Sequence, residues 1–164
     1  MTKRKIVYHD SPEKLTAWRK RMRRMHRLGR EPEVGEMMHD GTVFVGISPD
    51  TGKRFFAMPK DALCTQFNKA AEHLKLMNGQ KALGYSDWRL PTLEEMRVLY
   101  DACDEGKLSG TFNRTYHAVT GWYWTSTLNT RHDGCVQHWQ KSFFEGKENY
   151  FDGNFTAMTR FVRG

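Results

Sequence analysis

The chain has 164 residues, 38% of them hydrophobic and 13% aromatic, and a formal net charge of +7. That length accommodates one domain with a sizeable core plus an appendage, and five Trp, ten Phe and six Tyr argue for a compact fold rather than a disordered chain. No apolar run is long enough to span a membrane, and Met1-Thr2-Lys3-Arg4-Lys5 is not followed by an apolar signal region.

The charge is segregated. Residues 1–30 hold eleven Lys or Arg against two acids, Asp10 and Glu13, whereas the remainder holds fifteen basic and seventeen acidic residues. The basic excess belongs to the first thirty positions alone. Three cysteines, Cys64, Cys103 and Cys135, are odd in number and widely spaced, which fits a reduced, cytoplasmic protein better than a disulfide framework.

Ser11 as N-cap and Pro12 at the first helical position open an N-terminal helix. Leu15, Trp18, Met22 and Met25 or His26 recur on one face, and Gly29 offers an end. Arg19, Lys20, Arg23, Arg24 and Arg27, with Arg21, crowd the other positions. Such a helix either packs by its apolar stripe and stays solvated elsewhere, or meets an acidic partner, nucleic acid or a membrane surface. The five named cations are the first candidate partner-binding residues. Glu31 to Glu36 shifts to acidic and turn-forming types, and this reads as a linker. It divides the chain into a basic helical extension, 1–33, and a domain, 34–164.

Residues 42–48 and 53–58 are β-rich runs around Pro49-Asp50-Thr51-Gly52, the pattern of a hairpin. Leu63, Phe67, Ala70, Ala71, Leu74 and Met77 predict a helix over 61–77, stopped by Asn78-Gly79. Next comes Gly84-Tyr85-Ser86-Asp87-Trp88-Arg89-Leu90-Pro91-Thr92-Leu93-Glu94-Glu95, an extended run that ends in a helix start. Alternation puts Trp88 and Leu90 on one side and Asp87 and Arg89 on the other. Pro91 keeps Leu90 out of the helical region, and Thr92 with Glu95 forms a capping box. Leu93, Met96, Leu99 or Tyr100, and Cys103 then mark the buried stripe of a second helix. Nothing in the run is a nucleophile, a metal box or a phosphate loop. Asp87, Trp88, Arg89, Pro91, Thr92 and Glu95 are therefore assigned structural roles.

Residues 104–121 read as loop, Trp122 to Thr127 as a strand, 128–134 as a connection and Cys135 to Gln140 as the partner strand. A turn at Glu145-Gly146-Lys147, an irregular aromatic stretch over 150–155 and a closing strand over 158–163 complete the chain. Trp122 and Trp124 share one face with Tyr123 on the other, so Trp124 is counted as structural. The class is α+β: two helices and short, twisted antiparallel strands, plus the basic N-terminal helix.

Asp87-Trp88-Arg89-Leu90-Pro91-Thr92 followed by a helix resembles the signature of the domain family at the C-terminus of Lcl-type collagen-like adhesins. Three further features agree: the preceding helix around Cys64 to Met77, the string Tyr123-Trp124-Thr125-Ser126-Thr127, and the ending Arg160-Phe161-Val162-Arg163-Gly164. The resemblance covers roughly residues 40–164. It implies a C-type-lectin-like fold, related in shape to formylglycine-generating enzymes and to variable proteins of diversity-generating retroelements, and only loosely implies a function.

His132, Asp133 and His138 invite a metal, but their spacing matches no zinc box, and His138 alternates faces with Cys135. The Glu-Pro-Asn and Trp-Asn-Asp strings of calcium-dependent sugar binding are absent. The cysteine pair of formylglycine-generating enzymes is also missing, because Cys135 stands alone in the C-terminal half. The expectation is no metal, no cofactor and no catalytic residue. The aromatics Phe143, Phe144, Tyr150, Phe151 and Phe155 remain, read as core or as an exposed recognition surface, and they join the candidate partner-binding set.

These residues point to a non-enzymatic macromolecule-binding module, with a phage or mobile-element origin as one source of a small cytoplasmic version of the fold. It would bind a host protein or nucleoprotein through C-terminal loops and the basic helix. The first alternative is direct nucleic-acid binding by residues 1–30, and the second is a glycan-binding adhesin-type domain. An enzyme using Cys135 or the histidines ranks last.

Overall fold

In the computed structural model, residues Glu13, Thr16, Ala17, Lys20, Arg23, Arg24 and 29–164, apart from 109 and 116–118, are described. The hairpin forms where the β-rich runs place it, as β1 (Val43–Ile47) and β2 (Arg54–Ala57), with Val43 opposite Ala57 and Phe44 opposite Phe56. A bulge between Phe44 and Gly46 falls where Gly46 adopts a φ of 137°, a conformation that L side chains avoid. The final strand, β8 (Val162–Arg163), pairs with β2 and completes a three-stranded sheet.

The second sheet has five strands in the order β3-β7-β4-β5-β6. They are β3 (Cys64–Gln66), β4 (Trp122–Thr130), β5 (Val136–Ser142), β6 (Glu148–Asp152) and β7 (Thr156–Met158). Helix α1 (Phe67–Gly79) follows β3 directly, and α2 (Leu93–Asp104) follows the signature run. The architecture is α+β.

Three expectations need correction. The first helix begins at Phe67, not at residue 61, because Cys64, Thr65 and Gln66 pair with Met158, Ala157 and Thr156. The strands are not all antiparallel, since β4 and β7 run parallel at Tyr123 and Met158. The expected closing strand is split in two. Thr159 turns inward to Leu63, with its amide and hydroxyl donating to that carbonyl at 2.7 and 2.9 Å, so β7 and β8 serve different sheets. Gly35 and Glu36, at the start of the domain part of the chain, meet the hairpin: the Gly35 amide donates to the Phe44 carbonyl, and the Phe44 amide to that of Glu36. A Cβ on Gly35 would lie 2.0 Å from the Lys107 carbonyl oxygen, an approach only glycine permits.

Both faces of the five-stranded sheet are buried near Trp122. One core joins Val43, Val45 and Phe55 of the small sheet, Met96 and Leu99 of α2, and Tyr123 and Phe143. The other joins Met77 of α1, Trp88, Leu90, Trp124, Ala157 and Phe161. Adjacent residues Tyr123 and Trp124, both 0% exposed, thus serve different cores.

The signature run stitches these layers together. The Trp88 indole donates to the Ala82 carbonyl at 2.8 Å, and its backbone amide and carbonyl bond the Asn78 side chain. Asp87 pairs with Arg163 at 3.1 Å. Arg89 bridges Val162 through its backbone and grips Glu95 with two guanidinium nitrogens, at 2.5 and 2.7 Å. Thr92 caps α2 in a full capping box with Glu95. Glu95 is wholly buried and also accepts from the Ser48 hydroxyl at 2.6 Å. Burial works against its charge, but the bonds from Arg89, Ser48 and the Thr92 amide hold its carboxyl below the usual range.

Two further polar clusters, one buried and one at the surface, hold the loops. Arg160, 1% exposed, binds Asp61 and the carbonyls of Met58 and Thr111, and lies 3.9 Å over the Phe112 ring. Asp61 also accepts from the Tyr123 hydroxyl at 2.7 Å, and burial first, then the Asp61 charge, pushes that phenol well up. On the other flank Glu148 receives Arg97 of α2 and Lys141 of β5, fixing β6 against the helix.

Candidate recognition surface

Residues opposite one another in an antiparallel pair project to the same side, so the registers assign each aromatic of the C-terminal half to a face. Trp139 is opposite Tyr150, and Asn129 is opposite Gln137, which is opposite Asp152. These five share the face that, further along β5, carries Lys141 opposite Tyr123 and meets α2. Leu128, His138 and Phe151 share the other face with Trp124 and Gln140.

The expected aromatic cluster over 143–155 is therefore divided. Phe143 is 0% exposed, stacked on Phe112 at 4.4 Å, and it leaves the partner-binding set because the core encloses it. Phe144 is exposed, at the opposite end of β5 from the hairpin tip. Phe151 is half-buried against Trp122 and Phe155, on the α1 side. Phe155 is exposed beside it. Tyr150 alone is on the α2-side face, in edge-to-face contact with Trp139 at 5.1 Å. The exposed or half-buried candidates thus occupy three separate places, and Phe143 belongs to the core.

Tyr150 borders an open groove of about 400 Å³ lined by Asn129, Thr130, Arg131, His132, Asp133 and Tyr150. The groove exists because β4 continues to Thr130, opposite Val136, past the expected end at Thr127. Gly134, with a φ of 81°, closes the turn. The Asp133 carboxylate accepts from the Cys135 amide at 3.0 Å and pairs with Arg131 at 3.3 Å. That amide, helped by Arg131, keeps the carboxyl below its ordinary range. The Asn129 amide donates to the Gln137 side chain at 3.4 Å. The groove thus presents one aromatic ring, amides, hydroxyl and imidazole groups, and a paired set of charges at the outer end of a sheet. It can take a polar, partly flat ligand surface by hydrogen bonding and ring contact.

In the sequence, Asn129 and Arg131 read as part of a connecting loop because of their polar types, and Asp133 is weighed only as a metal ligand. The readable signal was the alternation Leu128-Asn129-Thr130 before Asp133-Gly134, a strand running into a hairpin turn. His132 and His138, once weighed together, are separated: His132 lines the groove and His138 is packed on the α1 side. Among the described residues, no three His, Cys, Asp or Glu are placed to hold a metal ion. Cys64 and Cys135 are exposed free thiols, Cys103 is buried, and burial pushes the Cys64 and Cys103 thiols up.

Of the basic candidates, Lys20, Arg23 and Arg24 are helical and exposed, and so are Glu13, Thr16 and Ala17. Arg19 and Arg27, like Trp18, lie outside the described residues. No helix among the described residues is long and apolar enough to cross a membrane.

The family model for the Lcl C-terminal domain matches residues 13–163. The chain belongs to the Lcl C-terminal domain family. The match to this Lcl C-terminal domain starts inside the basic stretch and ends in β8, so it spans both sheets and both helices. No curated protein matches the chain.

Proposed function

We propose that this Lcl C-terminal domain is a non-enzymatic binding module, acting in the cytoplasm, that recognises a protein or nucleoprotein through the outer end of its five-stranded sheet. The observation that carries the reading is the Tyr150–Trp139 pair beside the Asn129-to-Asp133 groove. Rigid aromatic anchors next to adaptable polar groups are the composition of recognition surfaces, and here they stand on strands rather than on a loose loop. A C-type-lectin-like arrangement, with the binding groups in the C-terminal half, fits the two sheets and two helices. The exposed Lys20, Arg23 and Arg24 add long-range attraction to an acidic partner, a phage or mobile-element setting included.

Those same cations favour one second reading, direct nucleic-acid binding by residues 1–30. Capture from a native lysate, with and without nuclease, distinguishes the two. The binding-module reading expects a captured protein that survives nuclease and high salt and is lost with Tyr150→Ala. Capture that needs nucleic acid, weakens steeply with salt and ignores Tyr150→Ala would overturn it.

A further inference from the structure

His138 is the one histidine of the large sheet that packs between elements. Its ring stacks on Phe67, the first residue of α1, at 3.4 Å between centroids, and meets Trp124 edge-on at 6.0 Å. The turn after β6 closes over the same spot. A Cβ on Gly153 would lie 3.5 Å from the Phe67 side chain and 3.8 Å from the imidazole. Two bonds hook that turn to the helix: the Phe67 amide donates to the Gly153 carbonyl at 3.0 Å, and the Gln66 side chain donates to the Asn154 carbonyl at 3.0 Å. Imidazole Nδ1 is buried with no hydrogen-bond partner among the described residues, and so is the amide nitrogen of Gln140, two residues along on the same face.

Among the described residues, the groups that face His138 are all neutral. From α1 comes Phe67, from β4 Trp124 and Leu128, from β6 Phe151, from the turn Gly153, and from its own strand Val136 and Gln140, while the neighbouring Gln66 of β3 is bonded to Asn154 and is neutral too. The first turn of α1 holds no acid to receive a proton's charge, and its Lys69 is exposed and paired with Glu72. Asp152 projects to the opposite face with Gln137. A positive charge on the ring would sit against the positive end of the α1 dipole without a counter-ion, and Nδ1–H would point into an apolar contact.

We propose that His138 is an acid-sensitive latch: neutral, it locks the turn 152–155 and strand β6 to the head of α1, and protonated, it lets them go. Burial depresses the affinity of this imidazole for a proton, in the same direction. The sign follows. A histidine whose folded pKa is lowered stabilises the closed form fully above the open-state value, about 6.5, and loses that contribution progressively as pH falls from there to the closed-state value. Each pH unit between the open and closed values multiplies the opening constant about tenfold. Tyr150 is on β6, so opening would loosen the face assigned to recognition. The latch itself stands whatever that face binds.

The test is amide hydrogen exchange on the full chain, corrected for intrinsic pH dependence, read at Phe67 and across 151–155. A companion NMR titration follows the His138 ring. Between pH 7.5 and 5.5, protection at Phe67 is expected to fall by up to about tenfold, while α2 amides hold. His138→Phe, which keeps a stacked ring but cannot titrate, is expected to abolish that fall. Unchanged protection in the native chain, or an equal fall in His138→Phe, would overturn the latch. Should His138→Phe not fold, the titration decides: an imidazole titrating at or above the ordinary value, or with no shift in Phe67, overturns it. Loss of partner capture is not a readout, so failure of the binding proposal and failure of the latch remain separable.

Discussion

Replacing Glu95 by Gln removes one charge from the point where the signature run, α2 and the β1–β2 turn meet. The carboxylate takes four bonds, from Ser48, from two Arg89 nitrogens and from the Thr92 amide. Glutamine keeps the volume, yet it sets an amide NH₂ against donors and leaves Arg89 without its anion. Breaking a buried pair by removing one partner costs about 3–5 kcal/mol. Glu95 is wholly buried, but the Arg89 side chain is 33% exposed, so water reaches the stranded guanidinium and the lower end, about 3 kcal/mol, applies. Urea unfolding gives this as a shift in midpoint at constant slope. A double-mutant cycle with Arg89→Met isolates the pair, with a coupling of about 1.5–3 kcal/mol expected. A coupling below about 0.5 kcal/mol would refute the reasoning, since the cost would then lie in packing and not in the ion pair.

Trp88→Ala is expected to cost about 3–5 kcal/mol in the same assay, because a 2% exposed indole leaves both a cavity and an unpaired Ala82 carbonyl. Thr92→Ala, which removes only half of the capping box, is expected to cost about 0.5–2 kcal/mol. Arg97, then Lys141, holds the Glu148 carboxyl down to about 2, so its contribution is complete above about pH 4.5 and fades as pH falls toward 2. After discounting for solvent around the 42% exposed Arg97, Glu148→Gln is expected to lose about 1–2 kcal/mol at pH 7 and almost nothing at pH 2, measured by denaturant melts at both. Removing residues 1–29 is expected to leave a cooperatively melting domain whose association with an acidic partner is slower and less salt-dependent; an unchanged rate and salt slope would dismiss electrostatic steering.

How much could be read beforehand depended on whether the determinants were local. The capping box at Thr92 and Glu95, the buried face of α2 and the β1–β2 turn follow from residues within a few positions of one another, and all three formed as expected. Strand β3 did not, because three residues next to a helix become a strand only when Thr156 to Met158 arrive from ninety positions away. The aromatic faces failed for a related reason. Alternation shows that Tyr123 and Trp124 point apart, but not that each side is covered, and here both are. The groove was hidden because polar residues on the outer end of a strand look like a loop until their partners, such as Gln137, are known.

The order in which the strands are laid down has a consequence for synthesis. β7 fills the gap between β3 and β4, and β8 completes the small sheet, so both sheets need residues 156–163, which follow all their other strands in the chain. While they are still inside the ribosomal exit tunnel, the β1–β2 hairpin has no third strand, and β3 has no neighbour. Phe55, Trp124 and Phe161 cannot yet be covered together. Folding of this domain is therefore postponed until residue 163 has emerged. During that interval rings such as Phe55 and Trp124 stay uncovered, and aggregation is the competing outcome.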